Sequence, residues 1–218
     1  MTHPVHRIRS FVRENGVCLL IDEVLLRASR ALRGWVLGRR LRTRGLRLGS
    51  QCYIRGLAHM KIGKDFRAGP GLWLEAVTLY KGQVFCPTVL IGEGVEVSHS
   101  VHIASTHYVE IGDHCLLGSR ILITDHGHGQ YSASEPVSPH SPGDRPLDSS
   151  GRVVIGRNVW IGDGVVVLPG AEIGEGSVIG ANSVVTGIIP PFTVAAGAPA
   201  RTIRHMHADT TADHGQTG

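Results

Sequence analysis

The sequence is poor in aromatic residues, in long apolar runs and in paired cysteines. Phe, Trp and Tyr make up 5% of the 218 residues, and together with 29 glycines this favours a fold with many corners over a globular sandwich. No apolar run approaches the ~18 residues needed to span a bilayer, and we expect no signal peptide. The four cysteines are far apart and form no CxxC pair. We therefore expect free thiols in a cytoplasmic protein.

The positive charge is concentrated at one end of the chain. Residues 1–47 contain eleven Arg and three acidic residues, a net charge of +8, whereas residues 48–218 contain eleven basic and fifteen acidic residues, a net charge of −4. The formal charge of +4 for the whole chain therefore says little about the main domain.

A six-residue unit repeats between Val153 and Pro199. Its first position is aliphatic, its second is usually glycine and its fifth is small or β-branched. The first positions that stand six residues apart are Ile155, Ile161, Val167, Ile173, Ile179 and Val185. Neither a helix nor a flat sheet has a period of six. A coil of three short strands does, with one apolar side chain per flat side pointing inward and a glycine at each corner.

This pattern resembles the hexapeptide-repeat family, which implies a left-handed parallel β-helix and acyl transfer from coenzyme A. A looser version of the repeat begins near Leu48, so we predict an all-β, β-helical acyltransferase domain over residues 48–204. Two extra residues around Thr106 and His107 reset the phase of the repeat. We expect the polar tail, residues 205–218, to be disordered.

Residues 1–47 are predicted to be a basic helical segment. Apolar residues recur every three or four positions, for example at Val17, Ile21, Val24 and Ala28, while arginines occupy the rest. We expect Gly16 and Gly34 to interrupt or end helical pieces. Such a helix can pack on the end of the β-helix or on a partner subunit, or lie peripherally on the inner face of an anionic membrane. No aromatic stacking platform accompanies the arginines, so nucleic-acid binding is not predicted.

The repeat has one long interruption, an excursion predicted over residues 125–153. It is polar, has no period and begins with two histidines, which makes it a candidate functional loop. A sugar hydroxyl is a poor nucleophile, and a neutral imidazole can accept its proton during attack on a thioester. The register counted from Ile123 favours His128 as this catalytic base, with His126 as the alternative. Asp125 either orients an imidazole ring or caps the turn.

The motifs ITDHGHG, VVIGRNVWIG, VIGANSVVT and AAGAPARTI resemble the polysaccharide and lipopolysaccharide O-acetyltransferase branch, near the maltose and galactoside acetyltransferases. This resemblance implies direct transfer from acetyl-CoA to a sugar hydroxyl, no metal, and an active site between the subunits of a homotrimer. It also implies a terminal helix after Gly197 and Pro199. The positions that it assigns to coenzyme binding are Asp163, Ala181, Thr186, Arg201 and Arg204.

Acceptor contacts are predicted at five positions. Trp160 ends its repeat unit, where no large aromatic is required, and could stack on a sugar ring beside the excursion. Ser98, His99 and His102 lie in the region that approaches the acceptor in the sugar acetyltransferases, and Asp125 is included with them. The asparagine and aspartate that hold sugars in the galactoside enzymes are not evident, so the acceptor stays open.

Three other functions are compatible with the same fold. A nucleotide-sugar N-acetyltransferase would have a similar base and coenzyme site. A γ-class carbonic anhydrase would hold a metal with three histidines, although no histidine lies between His140 and His205. A catalytically silent scaffold would fail to bind coenzyme A.

Overall fold

The computed structural model describes residues 4–131, 139–148 and 151–206. Helix α1 (Pro4–Leu41) is kinked at Gly16, whose φ of 80° is not helical. The interruption expected at Gly34 is wrong, because the helix continues through this residue, where a side chain would collide with the carbonyl oxygen of Leu46. Within the described ranges, no helix is long and apolar enough to cross a bilayer.

After α1 the chain passes through three parallel sheets in rotation, which we call sides A, B and C. Side A contains β1 (Arg47–Leu48), β4 (Arg67–Ala68), β9 (Glu96–Val97), β12 (Leu116–Leu117), β17 (Trp160–Ile161), β20 (Val178–Ile179) and β23 (Thr193–Gly197). Side B contains β2 (Tyr53–Arg55), β5 (Trp73–Ala76), β10 (His102–Ser105), β13 (Leu122–Thr124), β18 (Val166–Val167) and β21 (Val184–Val185). Side C contains β3 (Met60–Ile62), β8 (Thr88–Ile91), β11 (Tyr108–Ile111), β16 (Val153–Ile155), β19 (Glu172–Ile173) and β22 (Ile188–Ile189). The chain is therefore mostly β and is built as a three-sided coil.

The core is the column of aliphatic residues inside the three sides. All six first-position residues of the repeat are at most 2% exposed, as predicted. They align between successive turns, since Ile155 pairs with Ile173 and Ile161 pairs with Ile179. Burial of each such side chain contributes roughly 1.5–3 kcal/mol.

The corners have a feature that the repeat pattern did not reveal. Left-handed backbone occurs at the fourth position of the unit, with φ of 55° at Asn158 and 70° at Gly164, a conformation that favours Asn and Gly. The second-position glycines instead allow the backbones of successive turns to approach each other closely. A Cβ at Gly156 would lie 2.6 Å from the backbone nitrogen of Glu175 on the next turn.

The last strand is β24 (Ala200–His205), which runs antiparallel to β23. The expected terminal helix is therefore wrong. The side A edge of β23 has unpaired backbone groups, and β24 satisfies them by forming a strand. The predicted disordered tail lies outside the described residues from position 207 onward.

Two insertions leave the coil at the corner between sides B and C. The first, between β5 and β8, is a hairpin of β6 (Leu79–Tyr80) and β7 (Gln83–Val84). The second, between β13 and β16, contains β14 (Gly127–His128), a 3-10 helix (Pro142–Asp144) and β15 (Leu147–Asp148). This second insertion is the excursion, so the fold brings a second chain segment to the same corner.

The thiols are unpaired, as predicted. All four cysteines fall within the described residues, and none forms a disulfide. Cys115 occupies a fifth position of the repeat, and burial raises the pKa of its thiol to about 11. This thiol is therefore protonated at neutral pH and acts as a small core residue.

Candidate active site at the corner between sides B and C

Asp125 is the buried polar group at the start of the excursion. It follows β13 directly and is fully buried. Its carboxylate accepts hydrogen bonds from the Ser105 hydroxyl at 2.6 Å and from the backbone N–H groups of Thr106, His107 and Tyr108 at 2.9, 2.9 and 2.7 Å. These donors lie at the end of β10, in the two-residue turn that follows it and at the start of β11. The two extra residues that reset the repeat thus form a nest of N–H groups around one carboxylate.

These hydrogen bonds keep Asp125 ionised. Burial alone would raise the pKa of its carboxyl group, but hydrogen bonds from His126, Ser105 and the backbone of Thr106 and His107 outweigh burial and lower the pKa to about 2. The side chain is therefore a fixed negative charge beneath the histidine that follows it.

His126 is held by this charge. Its Nδ1 lies 2.9 Å from Oδ1 of Asp125 and 3.2 Å from the Thr124 hydroxyl, and 13% of its side chain is exposed. An ionised carboxylate can only accept, so the hydrogen of the neutral ring is assigned to Nδ1. The Nε2 lone pair is then available to accept a proton from a bound molecule.

His128 lies further along the excursion in a different environment. It pairs with Leu147 in the small antiparallel sheet and is exposed. Its Nδ1 is 3.4 Å from the Tyr80 hydroxyl, and the two ring centroids are 5.6 Å apart. Tyr131 donates a hydrogen bond to the His128 carbonyl. Within the described residues, His128 has no carboxylate partner comparable to Asp125.

The hairpin of β6 and β7 supports the excursion. Gln83 accepts a hydrogen bond from the Leu147 backbone N–H at 2.7 Å, and Tyr80 donates one to the Gly143 carbonyl at 3.0 Å. Lys81 forms an ion pair with Asp144. These contacts are not evident from the sequence, because the hairpin lies in a stretch with no repeat signal.

The predicted acceptor residues are distributed over two sides of the coil. His102 lies on side B, stacked on Trp73 with ring centroids 4.7 Å apart. Burial lowers the pKa of His102; Glu75 opposes this shift, and His126 adds to it. Ser98 and His99 lie at the corner between sides A and B. Trp160 points outward, as expected, but its paired neighbours on side A are Leu116 and Val178 rather than the excursion.

The predicted coenzyme residues do not gather around His126 in one chain. Asp163 and Ala181 lie at the corner between sides A and B, and the Asp163 carboxylate accepts the backbone N–H of Ser119 at 2.6 Å. Exposed Arg201 and Arg204 lie on β24, beside side A. Thr186, also exposed, is at the corner between sides B and C, two turns beyond the excursion.

In the part of the chain that the structure describes, no three His, Cys, Asp or Glu side chains lie close enough together to hold a metal ion.

Comparisons with known proteins agree with this architecture. The family described as Bacterial transferase hexapeptide (six repeats) matches residues 152–187. WbbJ of Escherichia coli strain K12, provisionally named as a lipopolysaccharide biosynthesis O-acetyl transferase, is 44% identical over 160 residues, which are 73% of this chain and 78% of WbbJ. The galactoside O-acetyltransferase of the same strain is 35% identical over 139 residues, 64% of this chain and 63% of that enzyme.

A solved structure gives the same result. The hexapeptide-repeat acetyltransferase of Vibrio cholerae O1 biovar eltor, in complex with acetyl coenzyme A, has a TM-score of 0.51 at 25% identity, over 80% of this chain and 76% of that chain. The six-residue repeat, the three-sided coil and these relatives identify the chain as an acyltransferase that belongs to the bacterial hexapeptide-repeat transferases.

Proposed function

We propose that this protein is an acetyl-CoA-dependent O-acetyltransferase that acts on a sugar hydroxyl of a cell-surface polysaccharide, a lipopolysaccharide or one of their precursors. The observation that carries the proposal is the histidine at the start of the excursion, fixed by a buried ionised carboxylate. The similarity to WbbJ and to a galactoside O-acetyltransferase supports a saccharide acceptor. The reaction would take place in the cytoplasm.

Transfer is direct in this mechanism. Nε2 of the base accepts the proton of the sugar hydroxyl while the hydroxyl oxygen attacks the carbonyl carbon of the thioester. The carbon–sulfur bond then breaks, and the imidazolium returns the proton to the coenzyme A thiolate. Asp125 would stabilise the imidazolium and keep the ring in the Nδ1–H tautomer.

We assign the role of base to His126 rather than to His128. The register of the repeat favoured His128, but the register gives no information about which imidazole ring is hydrogen-bonded to a carboxylate. His126 has an ionised carboxylate on Nδ1, and 13% of its side chain is exposed. His128 contacts a tyrosine hydroxyl at 3.4 Å, and we propose that it lines the acceptor site.

The coenzyme would bind between two subunits of a homotrimer of left-handed coils. In one chain, side B separates His126 from Asp163, Ala181 and the β24 arginines. A site between neighbouring subunits would bring the two corners together. Arg201 and Arg204 are exposed and permanently charged, which suits the phosphates of the coenzyme.

The decisive experiment measures thiol release from acetyl-CoA with a panel of glycans and nucleotide sugars. His126→Ala should lower kcat by roughly 10²–10⁴, the usual contribution of a general base. His128→Ala is the matched variant and should raise KM for the acceptor more than it lowers kcat. Wild-type turnover in His126→Ala would contradict the assignment, and release only with amine acceptors would indicate an N-acetyltransferase.

A further inference from the structure

One face of helix α1 is an apolar stripe that is largely exposed. Between the kink at Gly16 and the coil, apolar residues follow one another at spacings of three and four, so they share one side of the helix. The apolar stripe consists of Val17, Ile21, Val24, Leu25, Leu32, Trp35 and Val36. Six of these seven side chains are between 53 and 62% exposed, and Val36 is 44% exposed.

The coil does not cover this stripe. The last turns of α1 pack on the first turn of the coil through Leu37 and Leu41, which touch the core cluster. Gly34 and Gly38 approach the chain near Leu46 on the same side of the helix. At 3.6 residues per turn, the centre of the apolar stripe lies about two fifths of a turn away from the centre of this packed side. A helix that served only to shield the end of the coil would present its apolar face to the coil.

The charge around the apolar stripe indicates what covers it. Residues 1–47, which contain α1, have a net charge of +8 against −4 for the remaining residues. Arg33 donates a hydrogen bond to the Cys52 carbonyl, and the Arg39 guanidinium lies 5.2 Å from the Trp35 ring centroid. An exposed apolar face next to arginines and an aromatic is the composition of a helix that lies in a membrane interface.

We propose that α1 binds the surface of an anionic lipid bilayer, with the apolar stripe in the boundary between headgroups and acyl chains. Binding would combine burial of the apolar stripe with electrostatic attraction of the arginines to anionic headgroups. A bundle of α1 helices from several copies is disfavoured, because arginines outnumber acidic residues eleven to three in this segment and identical helices would juxtapose like charges.

The test is flotation of the full-length protein with vesicles of phosphatidylcholine alone or mixed with phosphatidylglycerol. We expect binding only to the mixed vesicles and its loss when salt is raised from about 0.05 to 0.5 M, because screening weakens surface charge interactions. Leu25→Ser/Leu32→Ser should weaken binding about tenfold or more, since two leucines leave the apolar phase.

The matched control is Leu19→Ser/Leu26→Ser, which makes the same change on the opposite side of α1. Leu19 is 52% and Leu26 is 40% exposed, and this variant should bind within about threefold of the parent. Equal loss in both double variants, or no binding of the parent to mixed vesicles, would overturn the proposal. The proposal would also be overturned if the parent did not float with any vesicle and light scattering showed a smaller assembly for Leu25→Ser/Leu32→Ser than for the parent. That result would indicate a helix bundle. Coenzyme A binding by each variant reports separately on an intact coil.

Discussion

At the residue scale, Asp125 links three consecutive features of the candidate site. It closes the turn between β10 and β11 through backbone N–H groups, it follows β13 directly, and it holds Nδ1 of His126. A buried carboxylate with this many donors is both a structural and an electrostatic element. Its contributions to stability and to turnover can therefore be measured on the same variant.

Asp125→Asn should destabilise the protein at pH 7 by about 2 kcal/mol or more, because an amide cannot accept from every donor in the nest. Folding lowers the pKa of Asp125 from 3.8 to about 2. The stabilisation by the ionised form is therefore complete above pH 4 and is lost as the pH falls toward 2. Urea unfolding of the parent and of Asp125→Asn between pH 7 and pH 3 measures this stabilisation. The difference between their free energies of unfolding should shrink below pH 4.

Asp22→Asn on exposed α1 is the control, and its unfolding free energy should stay close to that of the parent throughout. A difference between Asp125→Asn and the parent that does not change with pH would mean that ionisation of Asp125 is not linked to folding. In the acetyl transfer assay, Asp125→Asn should also lower kcat at least tenfold while acetyl-CoA still binds.

Sequence reasoning identified both histidines and the adjacent aspartate, because the repeat isolates the excursion clearly. The register favoured His128 over His126, but the register contains no information about which of the two rings meets a buried charge. The partners Ser105 and Thr106 lie about twenty positions earlier in the chain. The two-residue phase shift at Thr106 and His107 was the only sign in the sequence of a special turn there. Its contact with Asp125 becomes visible only when the turns are stacked.

At the scale of elements, the corners set the spacing between turns. Gly156→Ala should destabilise the coil by about 1–3 kcal/mol, because the new Cβ would lie 2.6 Å from the Glu175 nitrogen and 2.9 Å from its Cα. Gly187→Ala is the matched control, since no atom lies within 4 Å of a Cβ there. Urea unfolding of the two variants tests the difference, and equal stability would show that the turns can separate at little cost.

The strands of the coil were predictable, whereas strand β24 and the hairpin of β6 and β7 were not. Each interior position requires the same kind of buried aliphatic side chain, so a single unit such as IGDGVV is sufficient to predict its own side of the coil. Strand β24 has no such pattern in ARTIRH, and its conformation is set by the open edge of β23. The hairpin at Lys81 and Gly82 likewise gains its importance from contacts with residues more than sixty positions away.

At the scale of the whole molecule, His126 lies apart from the predicted coenzyme residues. Complementation between two inactive variants can therefore test whether the active site is shared between subunits. His126→Ala and Arg201→Glu/Arg204→Glu should each be inactive alone. If the base and the coenzyme groove belong to different chains, co-expression should form mixed oligomers in which some interfaces are intact, and activity should partly return. Native mass spectrometry would verify the mixing, and mixed oligomers without activity would contradict a site between subunits.

The antiparallel pairing of β24 with β23 also has a consequence for solubility. A coil of parallel strands presents the same backbone pattern at every turn, so an uncovered final turn would template the first turn of another molecule. By reversing direction, β24 occupies the outer edge of side A and ends the ladder there. Because α1 packs on the first turn, removal of residues 200–206 is expected to promote association of two molecules through their exposed final turns before it disrupts any turn of the coil.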